Sequence, residues 1–225
     1  MREAELLFIK SCEDNKPEEV QAFLTLAKTL KIDINAVDDD HRRTAAHRAA
    51  REGHTEVIRT LAASGLVDWN KGNYFQWTPL HVALGCGHSD VAGIIMKQDN
   101  VNFSLKTRSG TTVALAAVSG GVRCVELLAK QENCDSWNVR VPVADGDTPL
   151  MLAIRWNYTD IVKVLLKCPR VDPNQEDQHG NSPVMMAIKE KRSAMAKMLI
   201  QCPRVNLGNK DRNARIARWE ETKVT

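Results

Sequence analysis

Five short apolar helix signals open on a hydroxyl residue and recur in register along the chain, at Thr44, Thr78, Thr111, Thr148 and Ser182. The steps between them are 34, 33, 37 and 34 residues. Self-similarity at a period of about 33 is the signature of stacked helical repeats, each a supersecondary unit too small to bury its own apolar face. A chain built this way offers a long exposed face rather than a catalytic cleft. The functional question becomes what that face grips.

One copy shows the physics. Thr or Ser caps a helix N-terminus with its side-chain oxygen, and proline suits the first helical position, so Thr78-Pro79 starts a helix sharply. Ala49, Ala83, Ala116, Ala153 and Ala187 fall at one repeated position, where neighbouring helices must approach closely. Gly53, Gly87 and Gly120 fall where the first helix ends, matching a left-handed cap. Val57-Ile58-Leu61, Val91-Ile94-Ile95 and Ile161-Val162-Leu165-Leu166 then give the spacing of a second helix with one buried stripe. Stacking buries that stripe, so stability is mostly a sum of nearest-neighbour interfaces.

The string Trp77-Thr78-Pro79-Leu80-His81-Val82-Ala83, then Gly87-His88, an apolar helix and Val101-Asn102, resembles the ankyrin repeat. The weaker copies begin at Thr44, Thr111, Thr148 and Ser182. The resemblance implies an all-α fold, an ankyrin-repeat solenoid of helix-turn-helix units joined by short hairpin loops. It implies one domain over residues 1–225, in approximate units 1–38, 39–72, 73–105, 106–142, 143–176 and 177–225. A segment cut from a longer array would read the same way. Residues 3–35 form an atypical first unit, with a helix start at Asn15-Lys16-Pro17-Glu18. The tail from Arg212 to Glu221 is expected to cap the far end. Asn157-Tyr158 and Lys191-Arg192 replace the Gly-His pair, so those turns are expected to be strained or differently capped. The 37-residue step places about three extra residues around Val139–Val143, a loop expected to bulge.

Composition narrows the function classes. The net charge is +3 with both signs interspersed, a solvated surface rather than a nucleic-acid or membrane footprint. No segment reaches the roughly 18 apolar residues of a membrane span, and the N-terminus lacks the basic-then-apolar pattern of a secretory signal. The six cysteines form no CxxC pair, and Cys168 and Cys202 sit in a duplicated Cys-Pro-Arg-Val string. Free thiols in a reducing compartment are expected, in the cytoplasm or the nucleus. In that setting the acceptor patterns at Asn102 and Asn157 are idle. No nucleophile elbow, phosphate-binding glycine loop or HExxH occurs, and no enzyme activity, cofactor or metal is expected. His47, His81, His54 and His88 match the family's structural histidines, which implies loop ties rather than metal ligands. Trp69 and Trp137 are expected to pack, and Met185, Met186, Met195 and Met198 to fill the core.

The resemblance also implies where a partner binds: the hairpin tip before each cap and the exposed end of each first helix, which line the family's concave face. Carried copy by copy, these are Asp40, His41, Arg43, Arg51 and Glu52, then Tyr74, Phe75, Trp77 and Cys86. Thr107, Arg108 and Ser119 follow, then Asp145, Asp147, Arg155 and Trp156, and last Gln178, His179, Asn181, Lys189 and Glu190. Tyr74, Phe75 and Trp77 put three aromatics in four residues of a chain that is only 5% aromatic. Exposed aromatics rimmed by charge mark binding hot spots. One of them is expected to fold back, Phe75 or Tyr74 rather than Trp77. Trp156 extends the strip, with Arg108 and Arg155 for acidic groups on a partner. Asn35, Asn70, Asn102 and Asn206 resemble ankyrin asparagines that are hydroxylated.

The leading expectation is a non-catalytic protein-interaction scaffold or adaptor, a monomer whose middle repeats bind another protein or peptide. Nucleic acid and membrane insertion are not expected. One alternative is nucleotide or small-ligand sensing, with an exposed Trp stacking a base and Arg108 and Lys71 holding phosphates. Another is a spacer segment of a larger receptor or regulatory protein.

Overall fold

Four of the five expected caps, Thr44, Thr78, Thr148 and Ser182, start a helix where the sequence places it. The computed structural model describes residues 2–38, 40–140 and 146–208. Among them lie twelve α-helices in six pairs. The first three pairs are α1 (Arg2–Glu13) with α2 (Pro17–Leu30), α3 (Ala45–Glu52) with α4 (Thr55–Ser64), and α5 (Pro79–Gly85) with α6 (Ser89–Ile95). The others are α7 (Val113–Gly120) with α8 (Val122–Ala129), α9 (Pro149–Arg155) with α10 (Thr159–Lys167), and α11 (Pro183–Lys189) with α12 (Ser193–Gln201). The side chains of Thr44, Thr78, Thr148 and Ser182 each accept the backbone N–H three residues on, as expected.

The fourth copy is shifted by one residue. Its cap is Thr112, not Thr111, and Thr112 accepts from the Leu115 N–H. The steps therefore become 34, 34, 36 and 34 residues. The equivalent small residue is then Ala117, and the positive-φ glycine after the first helix is Gly121, at φ +101° and ψ 178°, not Gly120. Gly120 instead ends α7, where a Cβ would lie 1.7 Å from the Leu84 carbonyl oxygen. Glycine stands there because two backbones touch.

The chain divides into two compact units at Leu127–Leu128. In the first, α1, α3, α5 and α7 pack in series, as do α2, α4 and α6. Ala49, Ala83 and Ala117 are fully buried at the contacts between first helices. In the second, α9 packs on α11 and α10 on α12, around buried Leu150, Ile154, Leu165 and Leu199. Trp69 and Trp137 are buried, and Met186 and Met195 fill the core while Met185 and Met198 are half-buried. All six cysteines are free thiols. No helix among the described residues is long and apolar enough to cross a membrane.

The turns that lack Gly-His take the glycine conformation regardless. Asn157 sits at φ +63° and Lys191 at φ +58°, a region that costs a side-chain-bearing residue about 1–2 kcal/mol. The tail Arg212 to Glu221 and most of the expected bulge, residues 141–143, lie outside the described residues.

Candidate functional site

In four of the hairpins one buried polar side chain closes the loop by accepting its amides. Asp38 accepts from His41 and Arg43 (3.2 and 2.9 Å), and Asn73 from Phe75 and Trp77 (2.9 and 3.1 Å). Thr107 Oγ1 accepts from Thr111 (3.0 Å), and in the second unit Asp177 accepts from His179 and Asn181 (2.8 and 2.9 Å). Thr107 is therefore a closing residue and not a contact residue, a correction to the expectation that it faces a partner; it is only 5% exposed.

Consecutive tips of the first unit are tied by their backbones. The Tyr74 N–H donates to the His41 carbonyl (2.9 Å) and the Arg108 N–H to the Phe75 carbonyl (3.0 Å). This brings four side chains into one row. His41 meets Phe75 edge to face at 6.2 Å, Phe75 meets Tyr74 likewise at 5.2 Å, and the Arg108 guanidinium lies 4.5 Å from the centre of the Tyr74 ring. Tyr74 and Phe75 are each 50% exposed.

Trp77 is the aromatic that folds back, which reverses the expectation for this triad. It precedes the Thr78 cap, so its ring is directed onto α5, close enough that a Cβ on Gly85 would meet it at 3.1 Å. It also meets His81 edge to face at 6.0 Å, and its carbonyl accepts from His47 Nε2 (2.8 Å).

The histidines tie loops as expected. His54 Nε2 donates to the Glu13 carbonyl (2.8 Å) and His88 Nε2 to the Arg51 carbonyl (2.9 Å). His47 Nδ1 lies 2.8 Å from Thr44 Oγ1. His81 Nδ1 makes the same contact with Thr78 at 2.9 Å, but its Nε2 lies near the Leu105 and Thr111 backbone without reaching hydrogen-bond geometry. Burial lowers the pKa of both His47 and His81 to about 4, so both rings are neutral at pH 7.

Charge on this side is arranged in two classes. Arg48 is spent on Asp38 (2.6 Å) and Glu13 (2.9 Å). Burial pushes the Asp38 carboxyl upward, but the Arg43 amide and the Arg48 guanidinium outweigh it and hold the pKa below the usual range. Asp40 lies against His41 and Glu52 against Arg51 (3.2 and 3.8 Å). Arg42, Arg43 and Arg108 form no ion pair among the described residues. Cys86 and Ser119 are exposed on the ends of α5 and α7.

In the second unit Trp156 (42% exposed) meets Tyr158 (41%) edge to face at 5.9 Å; Tyr158 was not among the expected contact residues. Asp147 corrects another expectation. It is fully buried, with its carboxylate 2.8 Å from Arg155 Nε, because it holds the base of α9. Arg155 also faces Glu190 at 3.7 Å. Arg155, His179, Asn181, Lys189 and Glu190 gather around a cavity of about 120 Å³, and Gln178 is exposed at the same hairpin. Asp145 lies outside the described residues.

An unexpected feature is a row of asparagines between loops. Asn35 donates to the Leu66 carbonyl and accepts from the Asp68 N–H (2.9 and 2.7 Å). Asn70 does the same with Asn100 and Asn102 (2.6 and 2.8 Å), Asn138 with Arg170 and Asp172, and Asn174 with Arg204 and Asn206. The expected hydroxylation set thus mixes two positions. Asn35 and Asn70 are rungs, whereas the Asn102 carboxamide caps its own turn at Ser104, and the Asn206 backbone is held by the Asn174 rung.

Comparison with known proteins places this geometry. A family model described as ankyrin repeats matches in three overlapping copies, residues 7–107, 97–177 and 115–213. The chain is similar to Ankyrin repeat protein nuc-2 of Neurospora crassa, 28% identical over 151 residues, which is 66% of this chain and 14% of that protein. It is 34% identical over 91 residues to protein phosphatase 1 regulatory subunit 12A of Rattus norvegicus, covering 40% of this chain and 8% of that one. The chain therefore spans a small part of the length of these curated relatives. Among solved structures, the ankyrin repeat protein EF0377 superposes with a TM-score of 0.76 at 20% identity, over 86% of this chain and 96% of that chain. A chain from the complex of the Bdellovibrio bacteriovorus endopeptidase Bd0816 with immunity protein Bd3460 follows at 0.68 and 22%, over 84% and 94%.

Proposed function

Because the chain belongs to the ankyrin-repeat family, we propose that it is a non-catalytic interaction module that binds another protein or peptide along the hairpin tips and first helices of its first unit, the family's concave face. One observation carries this reading. Tyr74 and Phe75 are half-exposed yet rigidly held, since both neighbouring tips bond to their backbones and each ring packs on another side chain. Rigid aromatics lose little freedom on binding, and such residues dominate interface energetics. The ligand-sensing alternative needs an open Trp77 face and a free Lys71. Trp77 packs on α5 instead, and the Lys71 ammonium donates to the Asn35 carbonyl at 2.7 Å.

The test compares wild type with Tyr74→Ala/Phe75→Ala as bait in quantitative affinity capture, after circular dichroism shows equal folding. Proteins retained by wild type and lost by the double variant support the reading. An identical set from both baits would exclude this face. Trp77→Ala serves as a contrast: it lowers the unfolding midpoint, whereas the double variant leaves it nearly unchanged.

A further inference from the structure

We infer that the partner presents an acidic segment, with an apolar side chain seated on Tyr74 and Phe75 and carboxylates beside Arg43 and Arg108. This rests on the proposed binding face and specifies its ligand chemistry. The argument is charge complementarity. Three described carboxylates on this side are paired with guanidinium groups, Asp38 and Glu13 with Arg48 and Glu52 with Arg51, and Asp40 lies against the His41 ring. Arg43 and Arg108 form no ion pair among the described residues, although Asp38 and Asp40 lie within electrostatic range of Arg43.

Each of the two has a geometric reason to want an anion. Arg43 is half-buried beside Arg48 and Arg51, and burial with those two like charges outweighs the opposing carboxylates of Asp38 and Asp40 and makes its charge costly. A carboxylate there offsets both terms. Arg108 has its guanidinium over the Tyr74 ring, which restrains the group before a ligand arrives while the residue stays exposed. The two guanidinium groups come from the second and fourth repeats, and the exposed aromatic pair comes from the third. In sequence order the three consecutive hairpins thus carry a cation, the exposed aromatics and a second cation. A basic segment would meet like charge at both ends, and a purely apolar one would leave both cations desolvated and unpaired.

The probe is a phage-displayed library of random dodecapeptides, selected on the wild-type chain. Enriched sequences are then made as synthetic peptides and measured by fluorescence anisotropy against three proteins: wild type, Tyr74→Ala/Phe75→Ala, and Arg43→Gln/Arg108→Gln. The expected consensus carries Asp or Glu on both sides of an apolar residue. Binding should weaken about 30-fold in the aromatic variant. In the arginine variant it should weaken about threefold per lost charge and lose most of its salt dependence. A consensus that is neutral or basic, yet still needs Tyr74 and Phe75, overturns the acidic segment and leaves the binding face standing. Peptides that bind all three proteins equally overturn the binding face itself. Melting curves of the variants guard against loss of fold, and a fourth protein, Arg108→Lys, keeps the charge without the planar fork. It should retain the salt dependence while losing part of the affinity.

Discussion

Arg204 reaches back across one repeat and places Nη2 2.6 Å from the Leu166 carbonyl oxygen. The same guanidinium donates to the carbonyls of Cys168, Pro169 and Val171, so it gathers the acceptors at and just beyond the end of α10, of which Cys168 also accepts from the Val171 N–H. Arg170, in the earlier copy of Cys-Pro-Arg-Val, does this more sparingly, donating to the Ala129 carbonyl at the end of α8. Arg204→Ala strands several half-buried carbonyls and should cost about 1–3 kcal/mol in urea denaturation. Arg204→Lys cannot serve four acceptors from one point and should recover less than half of the loss. An unchanged midpoint for Arg204→Ala would refute this capping role.

Gly120 offers a test in which two principles disagree in sign. Replacing a helical glycine with alanine ordinarily stabilises by about 1 kcal/mol. Here the added Cβ would fall 1.7 Å from the Leu84 carbonyl oxygen, a backbone atom that cannot turn aside. Gly120→Ala should therefore destabilise by about 3 kcal/mol. Gly65→Ala is the control, since nothing lies within 4 Å and only its φ of +65° opposes the change; about 1 kcal/mol is expected. Equal effects from the two would remove the close approach of α5 and α7 as an explanation.

Lys191 holds a left-handed backbone that glycine adopts without penalty, at φ +58°. Lys191→Gly removes that strain but loosens the unfolded chain, so the net gain should be about 0.5–1 kcal/mol. Asn157→Gly should gain less, because asparagine tolerates this region better than lysine. Chemical denaturation of the two variants settles the order.

Stability should fall in mild acid because of His47 and His81. Burial holds each folded-state pKa at about 4, below the value of 6.5 expected for an exposed ring. The unfolded chain therefore binds these protons first as pH falls. Their contribution is complete above pH 6.5 and is lost between there and about pH 4, on the order of 3 kcal/mol for each ring. Urea midpoints measured from pH 7.5 to 4.5 should fall steeply for wild type and less steeply for His47→Gln. Parallel slopes would show that His47 does not carry the proton linkage.

Periodicity made the fold legible, since caps, small residues and helix-end glycines all recur at fixed offsets. It failed by one residue at Thr111-Thr112, where two adjacent hydroxyls can each cap a helix; Thr112 is the cap, and the Thr111 backbone closes the hairpin with Thr107. The aromatic triad was legible as a cluster but not in its orientation. Trp77, just before its cap, turns inward onto α5, and nothing in its letter says so. Asp147 and Thr107 were misjudged for a related reason. A polar residue beside a hairpin looks exposed until its own loop amides or a neighbouring guanidinium claim it. The asparagine rungs and the Arg204 cap join residues about a repeat apart, at 30 to 38 positions, so no local pattern announces them.

The rungs also govern what can happen to the asparagines themselves. The Asn70 carboxamide has its donor on one carbonyl and its acceptor on one amide of the next loop, so both ends of the group are occupied while the loops stay together. An enzyme acting on it must wait for them to part. The speed of such a modification would then count how often the array breathes, not how often the enzyme arrives.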